Sequence, residues 1–265
     1  MKTTLICGDA HAELRRLEPK SVDVIVTSPP YNIGKKYGRK YDDSIDRDRF
    51  KAWCADWILQ FALLLKDDGS LFLNIGSTPA NPMLPYEIAA LCSQAFKLQN
   101  VFHWVKSITL DHNPKYNLSA GHFKPINSKR FVTDLHEFVF HFTRSGDVEL
   151  DRLAIGVAYA DKTNLKRWKH TGGRDLRCRG NIWFIPYETR NGVQDHPAPF
   201  PLKLATNCIK IHGFKAATVL DPFMGCGTTG VAAAKLGCRE FIGIEIEPKY
   251  FARARQVIVR EAARK

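Results

Sequence analysis

Between Ala217 and Glu245 the chain reads strand, glycine turn, helix, strand, acid, and no other stretch restricts the fold as severely. Ala217 to Leu220 is a short apolar strand running into Asp221-Pro222-Phe223-Met224-Gly225-Cys226-Gly227-Thr228-Thr229-Gly230. A helix follows from Val231 to Leu236, and a second strand, Glu240 to Ile244, ends on Glu245. Two parallel strands joined through a helix close only by a right-handed crossover, which selects an α/β fold with a mostly parallel sheet. Gly225, Gly227 and Gly230 form GxGxxG, and Glu245 stands about twenty residues past the first, the arrangement of a nucleotide-binding half-fold. Glycines serving only helix–strand packing leave that acid unexplained.

The residues around the glycines indicate which nucleotide. Asp221 and Phe223 place an acid and an aromatic ring ahead of them, which suits a cationic, adenine-bearing ligand better than a pyrophosphate. Glu245 has two oxygens for two ribose hydroxyls. The ligand these residues imply is S-adenosyl-L-methionine, with a dinucleotide as the alternative.

A second constrained stretch lies near the N-terminus. Val22 to Val26 is β-branched and too short for a helix, so Thr27-Ser28-Pro29-Pro30-Tyr31-Asn32 sits where a buried strand leaves its sheet. Pro29 and Pro30 fix φ and remove two backbone donors, so the turn presents carbonyls beside the Ser28 hydroxyl and the Tyr31 ring. Acceptors next to an aromatic face suit a planar ring bearing an amino group; a proline turn with Tyr31 packed on the core is the plainer reading. Thr3 to Cys7 is another strand, stopping at Gly8-Asp9-Ala10, where Asp9 caps the next helix or offers an acceptor. Asp9, Ser28, Asp221 and Glu245 therefore all fall at carboxyl ends of predicted parallel strands, the edge that carries the ligand crevice in open α/β sheets.

The remaining segments fill out one large α/β domain. A short helix spans His11 to Leu17. Phe50, Trp53, Cys54, Trp57, Ile58, Phe61, Leu64 and Leu65 recur at helical spacing, with both tryptophans read as core. Ser70 to Ile75, Val101 to Val105 and His136 to Phe142 read as strands, Tyr86 to Phe96 and Leu202 to Ile211 as helices. Ile33 to Arg49 is polar, either a flap or a solvated loop, and Ile108 to Arg130 lacks periodicity and reads as a long functional loop. Ser145 to Gln194 differs from its surroundings: Lys162, Lys166, Arg167, Lys169, Arg174, Arg177 and Arg179 are interleaved with Trp168 and Trp183. That pattern fits an insertion gripping phosphates and reading base edges. The net charge of +12, from 39 Lys and Arg against 27 Asp and Glu, points the same way, toward a polyanion. Seven scattered cysteines without CxxC or His-rich spacing read as reduced, mostly buried thiols, with no metal site. No apolar run reaches a membrane-spanning length and Met1-Lys2-Thr3-Thr4 is not a signal sequence, so a cytoplasmic protein, prokaryotic or phage-encoded, is expected.

The pairing of the TSPPYN loop with a downstream DPFMGCGTTG loop resembles the beta group of DNA amino-methyltransferases, in which the catalytic half precedes the cofactor half. Gly8-Asp9-Ala10, Gly69 to Gly76, Arg130 to Arg144 with His136-Glu137-Phe138, and Asp195 to Leu204 are similar to further motifs of that group. The resemblance implies a circularly permuted, seven-stranded Rossmann-like sheet with a catalytic half (1–144), a target-recognition insertion (145–194) and a cofactor half (195–265). It implies Ser28, Pro29, Pro30 and Tyr31 as catalytic, and Asp9, Ala10, Phe200, Asp221, Phe223, Gly225, Gly227, Thr228 and Glu245 around S-adenosyl-L-methionine. Double-stranded DNA is the implied partner, with a homodimer and a cognate restriction endonuclease left open.

The amine nitrogen of a base is a poor nucleophile because its lone pair is delocalised, until acceptors hold its hydrogens. Ser28 and the Pro29 carbonyl are the expected acceptors and Tyr31 the expected stacking partner of a flipped base. Methylation at cytosine carbon 5 in its own family uses a cysteine after proline, and no Pro-Cys occurs. Serine at the head of the tetrapeptide resembles cytosine N4 enzymes, whereas adenine N6 enzymes usually carry Asp, so cytosine is expected and adenine is the alternative. A catalytically dead DNA-binding module has no use for Ser28, Tyr31, Asp221 and Glu245 together, a dehydrogenase has none for the basic insertion, and RNA contains the same chemistry.

Overall fold

The structure, a computed structural model, describes residues 1–264 except 36, 39–40, 114–115, 122–125, 164, 166–173 and 188–199, and excepting the side chains of 112–113 and 116–117. Ten strands form in chain order: β1 (Lys2–Cys7), β2 (Val22–Thr27), β3 (Leu65–Ile75), β4 (Lys97–Val105), β5 (Ile108–Asn113), β6 (Tyr116–Ala120), β7 (His136–Thr143), β8 (Ile182–Phe184), β9 (Thr218–Asp221) and β10 (Glu240–Glu245). Eight make one sheet in the order β1-β10-β9-β2-β3-β7-β4-β8. Every pairing in it is parallel except those of β7, which runs antiparallel to both β3 and β4.

Seven of these are the expected methyltransferase strands. The eighth, β8, comes from the 145–194 segment: Trp183 stacks on Phe102 at 4.4 Å and the Trp104 Nε1–H donates to the Ile185 carbonyl at 2.7 Å. The late strands β9 and β10 lie inside the sheet next to β2, and β1 pairs outside β10 from Lys2↔Glu240 to Cys7↔Glu245, so in space the N-terminus follows the C-terminal half.

Alternation along the strands divides the core between the two faces. Ile25, Leu71, Leu73, Ile75, Phe138, Phe140 and Phe142 join one cluster with residues of α1 (Ala10–Leu14), α2 (Arg47–Leu64) and α3 (Leu84–Cys92), and Val22, beyond the register shift in β2, joins them. Val24, Val26, Phe72 and Val139 join the other, with α4 (Leu202–His212), α5 (Thr228–Leu236) and α6 (Pro248–Ala262). Strands buried on both faces explain the unbroken apolar runs seen in the sequence. Helix α2 starts where Asp46 accepts hydrogen bonds from the Asp48 and Arg49 amides, and it buries Phe50, Cys54, Trp57, Ile58, Phe61 and Leu64. It ends at Leu64, earlier than its spacing suggested, because Leu65 is already extended and pairs with Val22.

One reading is corrected and one helix is added. The segment read as a long functional loop holds an antiparallel strand pair, β5 with β6, in register Leu110↔Leu118. Alternation there is masked because Leu110 and Leu118 are both exposed, so no core imposes a pattern. Helix α6 was not singled out, yet its Ala254 and Ile258 are buried against the glycine loop. Among the described residues no helix is long and apolar enough to cross a membrane.

The third glycine of the GxGxxG serves packing: a Cβ at Gly230 would lie 2.6 Å from the Phe241 ring and closer still to Ile258. Gly230→Ala is therefore expected to lower stability by about 1–3 kcal/mol, through overpacking, in a denaturant titration; an unchanged midpoint would contradict this packing.

Candidate active site

The parallel strands order themselves outward in opposite directions from the β9/β2 pair, which makes that boundary the topological switch point of the sheet. There the Thr27 hydroxyl donates to Asp221 Oδ1 at 2.8 Å, the Thr229 hydroxyl donates to Oδ2 at 2.6 Å, and the Phe223 amide donates to Oδ1 at 3.2 Å. Asp221 is 1% exposed, and its burial pushes its carboxyl up to about 6 against the opposing pull of the two threonines. Its oxygens thus clasp the Ser-Pro-Pro-Tyr loop to the glycine loop instead of forming an open acidic wall.

The glycine loop is shaped by two positive-φ positions, Gly225 at 55° and Gly227 at 90°, the latter capping α5. Glu245, at the end of β10, accepts the Gly225 amide on Oε2 and the Glu247 amide on Oε1, both at 2.8 Å. Burial raises its carboxyl above the usual range while those two amides favour the anion. Each oxygen keeps further acceptor capacity for a ligand hydroxyl. Phe223 is half-buried, 5.4 Å from the Trp53 ring and 6.0 Å from Trp57. Trp57 is core, as read from sequence, but Trp53 is only half-buried and reaches His11 and Tyr41 as well as Phe223.

The other residues expected around a cofactor lie as follows. Asp9 is exposed and caps α1 through the Ala12 amide at 3.1 Å, while Ala10 is buried in the core under α2. Thr228 is half-buried at the first turn of α5, and Phe200 is half-buried against the second core cluster.

On the other side of the clasp, Pro29 is buried and Ser28 and Tyr31 are half-buried, with Ser28 Oγ 2.8 Å from the Tyr31 hydroxyl. The Tyr31 hydroxyl donates to Glu137 Oε2 at 3.2 Å and receives Asn74 Nδ2 at 3.0 Å. Burial first, then the Glu137 charge, holds its phenol well above the ordinary tyrosine range, so it stays protonated. Behind it Lys106 Nζ contacts Glu137 Oε1 at 2.6 Å and lies over the Trp104 and Tyr187 rings. Gly76 makes this crowding feasible, since a Cβ there would sit 3.0 Å from Glu137 Cγ and 3.3 Å from the Tyr31 ring.

The segment after Tyr31 is fastened, not loose. Buried Asp43 accepts the amides of Asn32, Ile33 and Lys35 at 2.8, 3.1 and 2.9 Å, and Asn32, at φ 56°, exchanges two hydrogen bonds with Ile45. Sequence reasoning quoted Glu137, and the stretch holding Asn74, only as parts of motifs, and gave no role to Asn74, Lys106, Glu137 or Tyr187. The available signals were an asparagine inside an apolar strand and an acid at the head of another.

Of the seven basic residues proposed for DNA, Lys166, Arg167 and Lys169 lie outside the described residues. Arg174 and Arg177 are exposed, Lys162 pairs with Asp175 at 2.7 Å on the surface, and Arg179 is half-buried with its Nε donating to the Ile155 carbonyl at 3.0 Å. Among the described residues no cluster of His, Cys, Asp and Glu could hold a metal ion.

Asp221 carries a pH signature. Its folded carboxyl, at about 6, lies above the ordinary 3.8, so the stability it contributes is full below that ordinary value and is lost as pH rises through about 6. Between pH 4 and pH 7 the stability difference between the parent protein and Asp221→Asn should move in favour of the variant by roughly 2 kcal/mol. A difference flat with pH, measured by denaturant unfolding, would mean that Asp221 titrates as it does in the unfolded chain.

The profile of the DNA methylase family for N6 and N4 enzymes matches residues 22–256. The chain is 30% identical over 253 residues to the DNA adenine methyltransferase YhdJ of Escherichia coli (strain K12), covering 93% of this chain and 79% of that protein. It is 27% identical to the type II methyltransferase M.SmaI of Serratia marcescens, over 97% of this chain and 90% of the relative. Among solved structures, TTHA0409 of Thermus thermophilus, complexed with S-adenosyl-L-methionine, superposes with a TM-score of 0.64 at 25% identity, over 98% of this chain and 94% of that one. The PvuII DNA methyltransferase, cytosine-N4-specific, shares the fold with a TM-score of 0.71 at 20% identity, over 100% of this chain and 92% of that one. A permuted parallel sheet, a glycine loop closed by Glu245 and a Ser-Pro-Pro-Tyr loop clasped to it at the switch point agree with that match: the chain belongs to the DNA methylase family, as a beta-group amino-methyltransferase of the cytosine-N4 or adenine-N6 type.

Proposed function

We propose that the protein methylates the exocyclic N4 amine of cytosine at a specific site in double-stranded DNA, with the base flipped out of the helix. The observation that carries this reading is the Thr27–Asp221 hydrogen bond, which sets Ser28, the next residue, beside the cofactor loop. S-adenosyl-L-methionine is the cofactor, and it supplies an electrophilic methyl group on a sulfonium. The residues present suit it: Gly225 and Gly227 bring bare backbone to the crevice, Glu245 keeps acceptor capacity for ribose hydroxyls, and Phe223 offers a ring edge to adenine. Asp9, Ala10, Thr228 and Phe200 complete this side in our reading.

Ser28 and the Pro29 carbonyl accept the two amine hydrogens, which favours a tetrahedral nitrogen with an available lone pair. Pro29 and Pro30 keep those acceptors rigid, and the Tyr31 ring supports the base. Attack then requires alignment more than covalent assistance. Lys162, Lys166, Arg167, Lys169, Arg174, Arg177 and Arg179 contribute phosphate and base contacts in the 145–194 segment. In this reading a cognate restriction endonuclease is the functional partner, as the relatives named type II methyltransferases suggest, and the reaction runs in the cytoplasm of a prokaryote or an infected cell.

The second reading, transfer to adenine N6, is favoured by the 30% identity to an adenine methyltransferase. Ser28 argues for cytosine. Incubation with duplex DNA of diverse sequence and labelled S-adenosyl-L-methionine, followed by digestion to nucleosides, should yield labelled N4-methylcytosine; labelled N6-methyladenine would transfer the function to the second reading. Glu245→Ala should weaken S-adenosyl-L-methionine binding by roughly tenfold or more, the value of hydrogen bonds to a charged acceptor, and unchanged affinity in a titration would remove it from the ribose site.

A further inference from the structure

We infer that Glu137, paired with Lys106, fixes the direction of the hydrogen bonds running from Ser28 through Tyr31, leaving the serine oxygen open as an acceptor for the target amine. The inference rests on the reading of Ser28 given above, and makes Glu137 a positioning residue.

Strand β7 runs against both of its neighbours in the sheet, so its first residues lie at the edge where the parallel strands end: Glu137 is level with Trp104 and Phe138 with Ile75. Glu137 Oε1 accepts from Lys106 at 2.6 Å, and Oε2 accepts from Asn74 Nδ2 at 2.7 Å and from Tyr31 at 3.2 Å. Burial pushes this enclosed acid up, but the Lys106 charge and the hydrogen bonds from Lys106, Asn74 and Tyr31 together hold it below the usual carboxylate range, ionised. An ionised carboxylate only accepts.

Tyr31 has one proton and three acceptors within reach: Ser28 Oγ at 2.8 Å, the Asn74 carbonyl at 3.3 Å and Glu137. The charged acceptor takes it, because charge-assisted bonds are roughly twice as strong as neutral ones. Ser28 must then donate its own proton to the Tyr31 oxygen. Asn74 does not fill the vacated lone pairs of Ser28, since its two N–H groups go to Glu137 and Tyr31 at 2.7 and 3.0 Å, shorter than its 3.3 Å approach to Ser28. Reversing the Asn74 amide would set its oxygen against Glu137. A buried ion pair adds little stability by itself, so a pair sited behind the catalytic loop calls for another explanation.

Glutamine at 137 can donate to the Tyr31 oxygen, turning the phenol proton onto Ser28 and filling the acceptor the amine needs. Glu137→Gln should therefore lower kcat for DNA methylation about tenfold or more, the scale of a charge-assisted hydrogen bond, with S-adenosyl-L-methionine affinity changed less than about twofold. In the Tyr31→Phe background, where the intervening hydroxyl is gone, the same substitution should change kcat less than about threefold, because the coupling has been removed. An equal loss in both backgrounds, or none in the parent, overturns the proposal. A second measurement needs neither a variant nor turnover: in the NMR spectrum of the intact protein the slowly exchanging Tyr31 hydroxyl proton should show through-space contacts to the Glu137 Cγ hydrogens. Contacts to the Ser28 Cβ hydrogens instead would overturn the proposed direction. Absence of methyl transfer by the parent protein together with the Glu137 contacts would sink the functional reading while supporting this hydrogen-bond direction.

Discussion

One buried carboxylate joins the two functional halves of this chain. Thr27 and Asp221 are separated by 194 residues, and their side chains meet at 2.8 Å where the sheet changes its direction of winding. The bond is expensive to arrange, because a carboxylate removed from water must find donors or give up its charge. Asp221 does some of both: it takes two threonine hydroxyls and an amide, and its carboxyl still titrates higher than in water. The consequence is geometric. Residues immediately after Thr27 and immediately after Asp221 leave the sheet side by side, so the Ser-Pro-Pro-Tyr loop and the glycine loop adjoin.

Three acids around the crevice are withdrawn from water, and each is managed differently. Asp221 is held by hydroxyls, Glu245 by backbone amides, and Glu137 by a lysine. Neutral donors leave the first two with raised carboxyls, whereas at Glu137 the charge of Lys106 and the hydrogen bonds from Lys106, Asn74 and Tyr31 together outweigh burial and hold that acid ionised. A permanent anion is thus kept behind the Ser-Pro-Pro-Tyr loop, and softer, hydrogen-bonded acids face the cofactor loop. The edge-on pair of Trp104 and Tyr187 rings under Lys106 also connects the site to the 145–194 segment, because Tyr187 belongs to it and β8 anchors it to β4. The described part of that segment is thus attached to the sheet edge next to the Ser-Pro-Pro-Tyr loop.

Much of the architecture was legible in the residues. The GxGxxG with its following acid could only close as a parallel βαβ unit, and the uninterrupted apolar runs could only be strands covered on both faces. Ser28, Tyr31, Asp221 and Glu245 were legible because each sits in a short local signature. The capping and turn residues Asp9, Asp46, Gly225 and Gly227 act over a few positions, so neighbours in sequence suffice to identify them. Trp53 and Trp57, four residues apart on one helix face, could not be told apart, since only the tertiary packing around them leaves Trp57 enclosed and Trp53 half-open.

What the sequence by itself determined was the set of strand ends and the chemistry each carries, because hydrophobic period, glycine freedom and proline stiffness are local properties. What only the tertiary structure decided was which ends meet. Asn74 lies on β3, Glu137 on β7 and Lys106 just past β4, and they converge behind Tyr31 because β7 enters the sheet antiparallel between β3 and β4, bringing its first residues to the edge where its neighbours finish. No local signal encodes that insertion. Strand direction is selected by the packing of the whole sheet, and a buried acid becomes part of a site only when the fold supplies its counter-ion.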